Sequence, residues 1–323
     1  MLARVAENIY WLSRYLERAE NTVRLVDMHG RMLIDHPDID EHAGWIVLIS
    51  INALDESFAE KYQQATEQSV CDFLLADTDN PGSLVSAFIA IQNNLRSCRD
   101  IVPRSSYEAI NGACRYVRQQ VELGITQHSR RQAFLNNAKM RLLAISGDIN
   151  SNMSNDVGYQ FMRMGCNIER ADMTSRIIDV QSSRLDVQSS RLAGVDSDNE
   201  LLLHQWQRWM SVLKTLSALQ MYRQHVHKPV DGRSTLQFLL HNRRLPRSYH
   251  FCIDRLESTL LTLNRNTRPL AKIDSVRTRL TSADLQTLAQ QPLELHQFID
   301  SLQLSLQSVA DAISETYFPP QDS

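Results

Sequence analysis

Residues 17–27 read ERAENTVRLVD, and residues 169–179 read ERADMTSRIID. The second stretch starts 152 residues after the first (169 − 17), and six of its eleven positions are identical. These are Glu17/Glu169, Arg18/Arg170, Ala19/Ala171, Thr22/Thr174, Arg24/Arg176 and Asp27/Asp179. Three more are close exchanges: Glu20/Asp172, Leu25/Ile177 and Val26/Ile178. Two unrelated amphipathic helices share an apolar rhythm by necessity; they have no reason to share charged positions. The chain therefore reads as internally duplicated, with a polar face kept in both copies.

A second ordered match supports this reading. FLLADTDNPGS (73–83) aligns with FLLHNRRLPRS (238–248) at an offset of 165 (238 − 73). The expected organisation is a first helical half over about 1–150 and a second over 151–323, packed as one globular unit. Residues 179–185 and 186–192 both spell DVQSSRL, a tandem copy of seven residues that lengthens a helix by nearly two turns.

The fold class expected is all-α, a bundle of long helices in two pseudo-symmetric halves. Among 323 residues there are only 10 Gly and 9 Pro, too few for a strand-rich fold with frequent turns. Apolar residues at Val5, Ile9, Leu12, Leu16, Ala19, Val23 and Val26 mark one face of a helix over 2–34, which His36-Pro37-Asp38 interrupts. Helical spacing continues over 41–62. Asn80-Pro81 predicts a cap and first turn for a helix to about Asp100, and Ser105-x-x-Glu108 predicts a capping box for the next. Further helices are expected over 130–150, 157–192, 198–226, 282–289 and 292–316, with Pro229 and Gly232 ending the one before them.

With 34 basic and 37 acidic side chains, the net charge of −3 gives no general attraction to nucleic acid or to an anionic membrane. No stretch approaches the ~20 apolar residues of a membrane span. Five scattered cysteines, never in a Cys-x-x-Cys pair, suit a reducing cytoplasm, and a cytoplasmic location without a targeting segment is expected. Phosphate-cradling glycine loops, nucleophile elbows and His-Glu-x-x-His are all absent.

The duplicated stripe is thus the candidate site. Glu17, Glu20, Glu169 and Asp172 are the candidate catalytic carboxylates. Arg18, Arg24, Asp27, Arg170, Arg176 and Asp179 are the candidate substrate- or partner-binding residues. Three readings stand. The stripes cross-pair, partly buried, and fix how the copies dock. Alternatively they line a pocket or partner surface whose arginines grip carboxylate or phosphate. A four-carboxylate metal site is the third, disfavoured because neither copy has His at the Glu-x-x-His spacing and the arginines repel a cation. Neither metal nor cofactor is expected. Cys98 and Cys166 read as small buried thiols. Arg96, Arg99 and Arg104 read as solvated helix-end charges. Tyr10, Trp11 and Tyr15 read as packing, and His225 and His227 as a helix-end surface pair.

The opening MLARVAENIYWLSRYLERAENTVRLVD closely resembles the start of the alpha-E superfamily, a bacterial all-helical family. FLLADTDNPGSLVSAFIAIQNNLRSCRD, SSYEAIN, GYQFMRMGCNIERADMTSRIID and FLLHNRRLPRSYHFCIDRLE follow in the expected order and extend the resemblance over almost the whole chain. Tyr107 stands where Trp is expected, and the DVQSSRL copy is a second departure. The resemblance implies an all-α fold and association with a circularly permuted ATP-grasp ligase, often with a transglutaminase-like cysteine peptidase. The function implied is a helical accessory subunit in ATP-dependent amide-bond formation or peptide modification. An enzyme using the repeated Glu/Asp/Arg face for acid/base amide transfer is the alternative, and a plain interaction scaffold is the third.

Overall fold

The computed structural model describes residues 1–35, 40–125, 128–191 and 198–319; the side chains of 35, 128–129, 181–191 and 198–204 lie outside the description. The break expected at 36–38 and most of the DVQSSRL copies therefore fall outside the described side chains. Every regular element among the described residues is helical. No helix among them is long and apolar enough to cross a membrane. The chain forms two compact units, Met1–Glu169 with the end from Tyr317, and Arg170–Thr316. The boundary falls later than position 150 because it follows packing, whereas the 1–150/151–323 division follows repeated sequence.

The first unit begins with α1 (Ala3–Asp35), α2 (Glu41–Ile51), α3 (Asp55–Ala59) and α4 (Glu67–Cys71), which runs into a π-helical turn, Asp72–Ala76. It continues with α5 (Leu84–Arg96), α6 (Arg104–Glu122), α7 (His128–Asn152) and the start of α8 (Val157–Arg191). The apolar face read from the sequence is the one that packs. Ile9, Leu12, Ala19, Val23 and Val26 are all buried on α1, which lies chiefly against α5 and α7. Burial of that stripe, rather than helix propensity, holds so long a helix in place.

Several expected boundaries are corrected. The 41–62 stretch is two helices because Ala53 is left-handed (φ 54°), and the Asn52 amide donates to the Leu48 carbonyl (2.8 Å). Asn80 does not cap a helix. Its side chain donates to the Phe73 carbonyl and accepts from the Gly82 N–H, forming a local turn, and Ser83 caps α5 instead. That helix ends at Arg96, short of Asp100. The Ser105/Glu108 capping box is not formed: α6 starts at Arg104, Ser105 Oγ donates to Asp148, and Glu108 accepts from Arg104. Asp148 on α7 accepts from the Ser105 and Ser106 hydroxyls, which turns Ser105 away from the helix start.

The second unit holds the rest of α8, then α9 (Asp198–Thr215), α10 (Leu219–Val226), α11 (Gly232–His241) and α12 (Tyr249–Leu260). After these come α13 (Thr267–Thr281), α14 (Leu285–Gln290) and α15 (Pro292–Tyr317), whose last residue belongs to the first unit. The expected 198–226 helix is divided at Ser217, which is left-handed (φ 52°). Gly232 opens α11 rather than closing a helix, because Asp231 accepts from the Ser234 N–H as its cap. A fully buried Tyr249 on α12 donates its hydroxyl to the Leu302 carbonyl of α15 (3.0 Å). Two caps recur at the FLL offset of 165: Thr66 and Asp231 (231 − 66), and Ser83 and Ser248 (248 − 83).

The backbone of α1 comes close to α8 at Gly165. A Cβ there would lie 2.3 Å from the Tyr10 carbonyl oxygen, which belongs to the rigid backbone of α1. Beside it, Ser13 Oγ donates to the Met162 carbonyl (2.6 Å). Gly165→Ala is expected to force the two helices apart and destabilise the fold by about 1–3 kcal/mol. Thermal denaturation checks this, and an unchanged midpoint would refute the close contact.

Candidate functional site

The two stripes meet within the first unit through their Glu-Arg dipeptides. Glu169 is 3% exposed, too enclosed to be solvated as an anion. Two guanidinium groups from α1, one turn apart, take the place of water. Arg18 Nε donates to Glu169 Oε1 (2.6 Å) and a terminal Arg18 nitrogen to Oε2 (3.0 Å). Arg14 Nε donates to Oε2 (3.0 Å). A forked pair of this kind matches the carboxylate plane and is among the stronger ionic contacts. Burial pushes the Glu169 carboxyl up, but Arg18 and Arg14 outweigh it and hold the group below its ordinary range. The guanidinium of Arg14 lies over Trp11 (4.9 Å) and that of Arg18 over Tyr15 (5.2 Å), so the aromatics read as packing also carry the cations.

Glu17, which aligns with that glutamate in the sequence, is 5% exposed and accepts from the Cys166 thiol (3.2 Å). Cys166 is half-buried beside the acidic stripe, which corrects its reading as an ordinary buried thiol. Cys98 fits that reading: burial pushes its thiol up to about 12.

Further along α1, Arg24 is 6% exposed and pairs with Glu20 (3.3 Å) and Asn21 on its own helix. Asp27 accepts from Gln132 (2.6 Å) and Lys139 (2.9 Å) on α7 and from Arg31 (3.0 Å). Burial pushes the Asp27 carboxyl up, and these three donors more than reverse it. In the second unit Arg176 pairs with Asp172 (2.8 Å), both partly exposed, which matches Glu20/Arg24. Asp179 differs from Asp27 in meeting His296 on α15 (Nδ1 to Oδ1, 2.8 Å), with Asp300 one turn further. Burial raises the Asp179 carboxyl, and Asp300 adds to this. The hydrogen bond to Asp179 raises the His296 imidazole.

Sequence reasoning missed Arg14, Lys139, Gln132 and His296. Arg14 stands one turn before Arg18, a visible signal; the others reach the stripe from over 100 positions away. It also missed a network on α12 and α13. The Arg277 fork donates to Glu257 (2.8 and 2.6 Å) and to Asp254 (3.2 Å). His250, one turn before Asp254, accepts from Arg243 Nε (3.1 Å), and burial pushes its imidazole down.

The geometry brings one residue from each Glu-Arg dipeptide into a single buried ion pair. The dipeptide occurs twice in the sequence, at 17–18 and 169–170. A family model named Alpha-E, described as a predicted alpha-helical domain with a conserved ER motif, matches residues 1–318. The chain belongs to the Alpha-E family. Among curated relatives, it is 24% identical over 97% of its length to an uncharacterized protein of Mycobacterium bovis. It is 23% identical, over the same share, to one of Mycobacterium tuberculosis. In both cases this Alpha-E chain spans 36% of the relative's length. No solved structure matches it.

Removing one side of a buried ion pair leaves the other charge unpaired, at about 3–5 kcal/mol. Glu169→Gln removes the anion that faces two guanidinium groups, and Arg18→Met leaves the carboxylate with Arg14 alone. Both variants are expected to lose stability on that order, and the double variant to lose less than the sum. A denaturant-based double-mutant cycle reads the coupling; additive losses would refute the clamp. The pH dependence follows from the depressed folded value of Glu169. Its contribution is fully present above the unfolded glutamate value, about 4.3, and is lost as pH falls through the lower folded value. Acid titration of stability should therefore be steeper in the native chain than in Glu169→Gln.

Proposed function

We propose that this Alpha-E chain is a helical accessory subunit of an ATP-grasp ligase system for peptide synthesis or modification, and that its Glu-Arg cluster is a structural clasp rather than an acid/base device. The observation that carries the second part is the state of Glu169. A general acid or base needs an accessible proton and a value near working pH. Glu169 is enclosed, ionised and occupied by two arginines.

The ligase partnership rests on the family resemblance, and one feature of the relatives supports it. The mycobacterial proteins carry this module within chains almost three times as long, as expected of a unit that works joined to others. A transglutaminase-like protein is a second partner on the same ground. A cytoplasmic setting suits the five free cysteines. The halves 1–150 and 151–323 are read as copies, supported by the caps at a shared offset. Within the first half, Asp27 serves to hold α7 against α1. Asp172 and Arg176, exposed by 24% and 30%, are open enough to meet a partner.

The test is co-purification with an ATP-grasp protein encoded beside this chain, then mass spectrometry of what the pair makes from ATP and amino acids. Arg176→Met should fold normally and lower product formation, whereas Glu169→Gln should lower stability first. Tight ATP binding by the isolated chain in calorimetry, or failure of the two proteins to associate, would sink the proposal.

A further inference from the structure

Asp179 on α8 faces His296 and Asp300, which stand one turn apart on the same side of α15. His296 Nδ1 lies 2.8 Å from Asp179 Oδ1, and Nε2 lies 3.5 Å from Asp300 Oδ2. A neutral imidazole carries one N–H. When Nδ1–H is donated to Asp179, Nε2 is left with a lone pair, aimed at a carboxylate oxygen that also has only lone pairs. Two acceptors at that distance attract a cation between them. A proton fills the role in imidazolium; a metal ion is the alternative.

Three features favour the metal ion. Ligand atoms about 2.0–2.2 Å from a tetrahedral Zn²⁺ stand roughly 3.4 Å apart, close to the observed Nε2–Oδ2 separation. A carboxylate on the far nitrogen of a histidine is the usual support of a metal-binding imidazole, because it fixes the tautomer and makes the ligating nitrogen more basic. The ladder position itself has also changed character. Asp27 meets a lysine, an arginine and a glutamine, whereas the surroundings of the aligned Asp179 include an imidazole with a second carboxylate beyond it. Ligand atoms of all three side chains lie within 4.8 Å of one another, and His296 and Asp300 are about half exposed, so an ion enters without opening the fold.

We propose that His296 Nε2 and Asp300 form a binding site for a divalent transition-metal ion of the zinc type, with Asp179 as the positioning residue. The remaining coordination positions hold water and face outward. The bound ion ties α8 to α15 within the second unit. Spacing arguments could not find this site, because Asp179 and His296 are 117 residues apart.

The full chain, freed of metal by dialysis against a chelator, is titrated with Zn²⁺ by calorimetry. One ion per chain is expected. His296→Gln and Asp300→Asn should abolish the binding, and Asp179→Asn should weaken it about 10–100-fold. Circular dichroism confirms that the variants fold; if His296→Gln does not, the Asp300→Asn titration decides. No heat from the native chain means that a proton alone fills the gap and overturns the proposal. So does unchanged binding in His296→Gln or Asp300→Asn, which would place the ion elsewhere, for example at His225 and His227.

Discussion

The first unit depends on one enclosed anion. Glu169 has too little contact with water to be solvated, so its charge is tolerable only where two guanidinium groups meet it. That requirement fixes more than a single contact. It sets the rotation of α1 and α8 about their axes, since Arg14 and Arg18 must face Glu169 together. It sets their spacing as well, which explains why the adjoining turn of α8 has no side chain at Gly165. Ionic pairing and backbone approach are two parts of one constraint.

Charge along the stripe is resolved differently at each step. Glu169 takes two arginines, Glu17 a thiol, Glu20 a same-helix arginine, and Asp27 three donors, two of them from α7. Asp179 takes an imidazole, with a second carboxylate beyond it. The described contacts along the stripe thus differ from one charged position to the next. Saturated members suit a structural role, and the second unit's members, with more exposure, suit contact with other molecules.

The all-helical class was legible from the scarcity of Gly and Pro and from the periodicity of Ile9, Leu12, Ala19, Val23 and Val26, because burial enforces that period. Helix ends were less legible. Ala53 and Ser217 adopt left-handed backbone that nothing in their own chemistry announces. Asn80 and Ser105 carry side chains that suit caps, but the Phe73 carbonyl in a local turn and Asp148 on α7 claim them first. At the site, the repeated residues pointed to a conserved stripe, but Arg18 with Glu169 was not singled out as the pair. The donors to Asp27 and the histidine on Asp179 were not legible, because they arrive from helices far away in sequence.

Arg18 presents its guanidinium to Tyr15 as well as to Glu169. Only a flat, delocalised cation can lie on a ring while its edge meets two oxygens. An ammonium at the same place would preserve the charge but offer a single point of attraction on a flexible stem. The second letter of the dipeptide is thus chosen for shape as much as for sign, and a lysine there, however conservative on paper, would exchange a fitted plate for a loose tether.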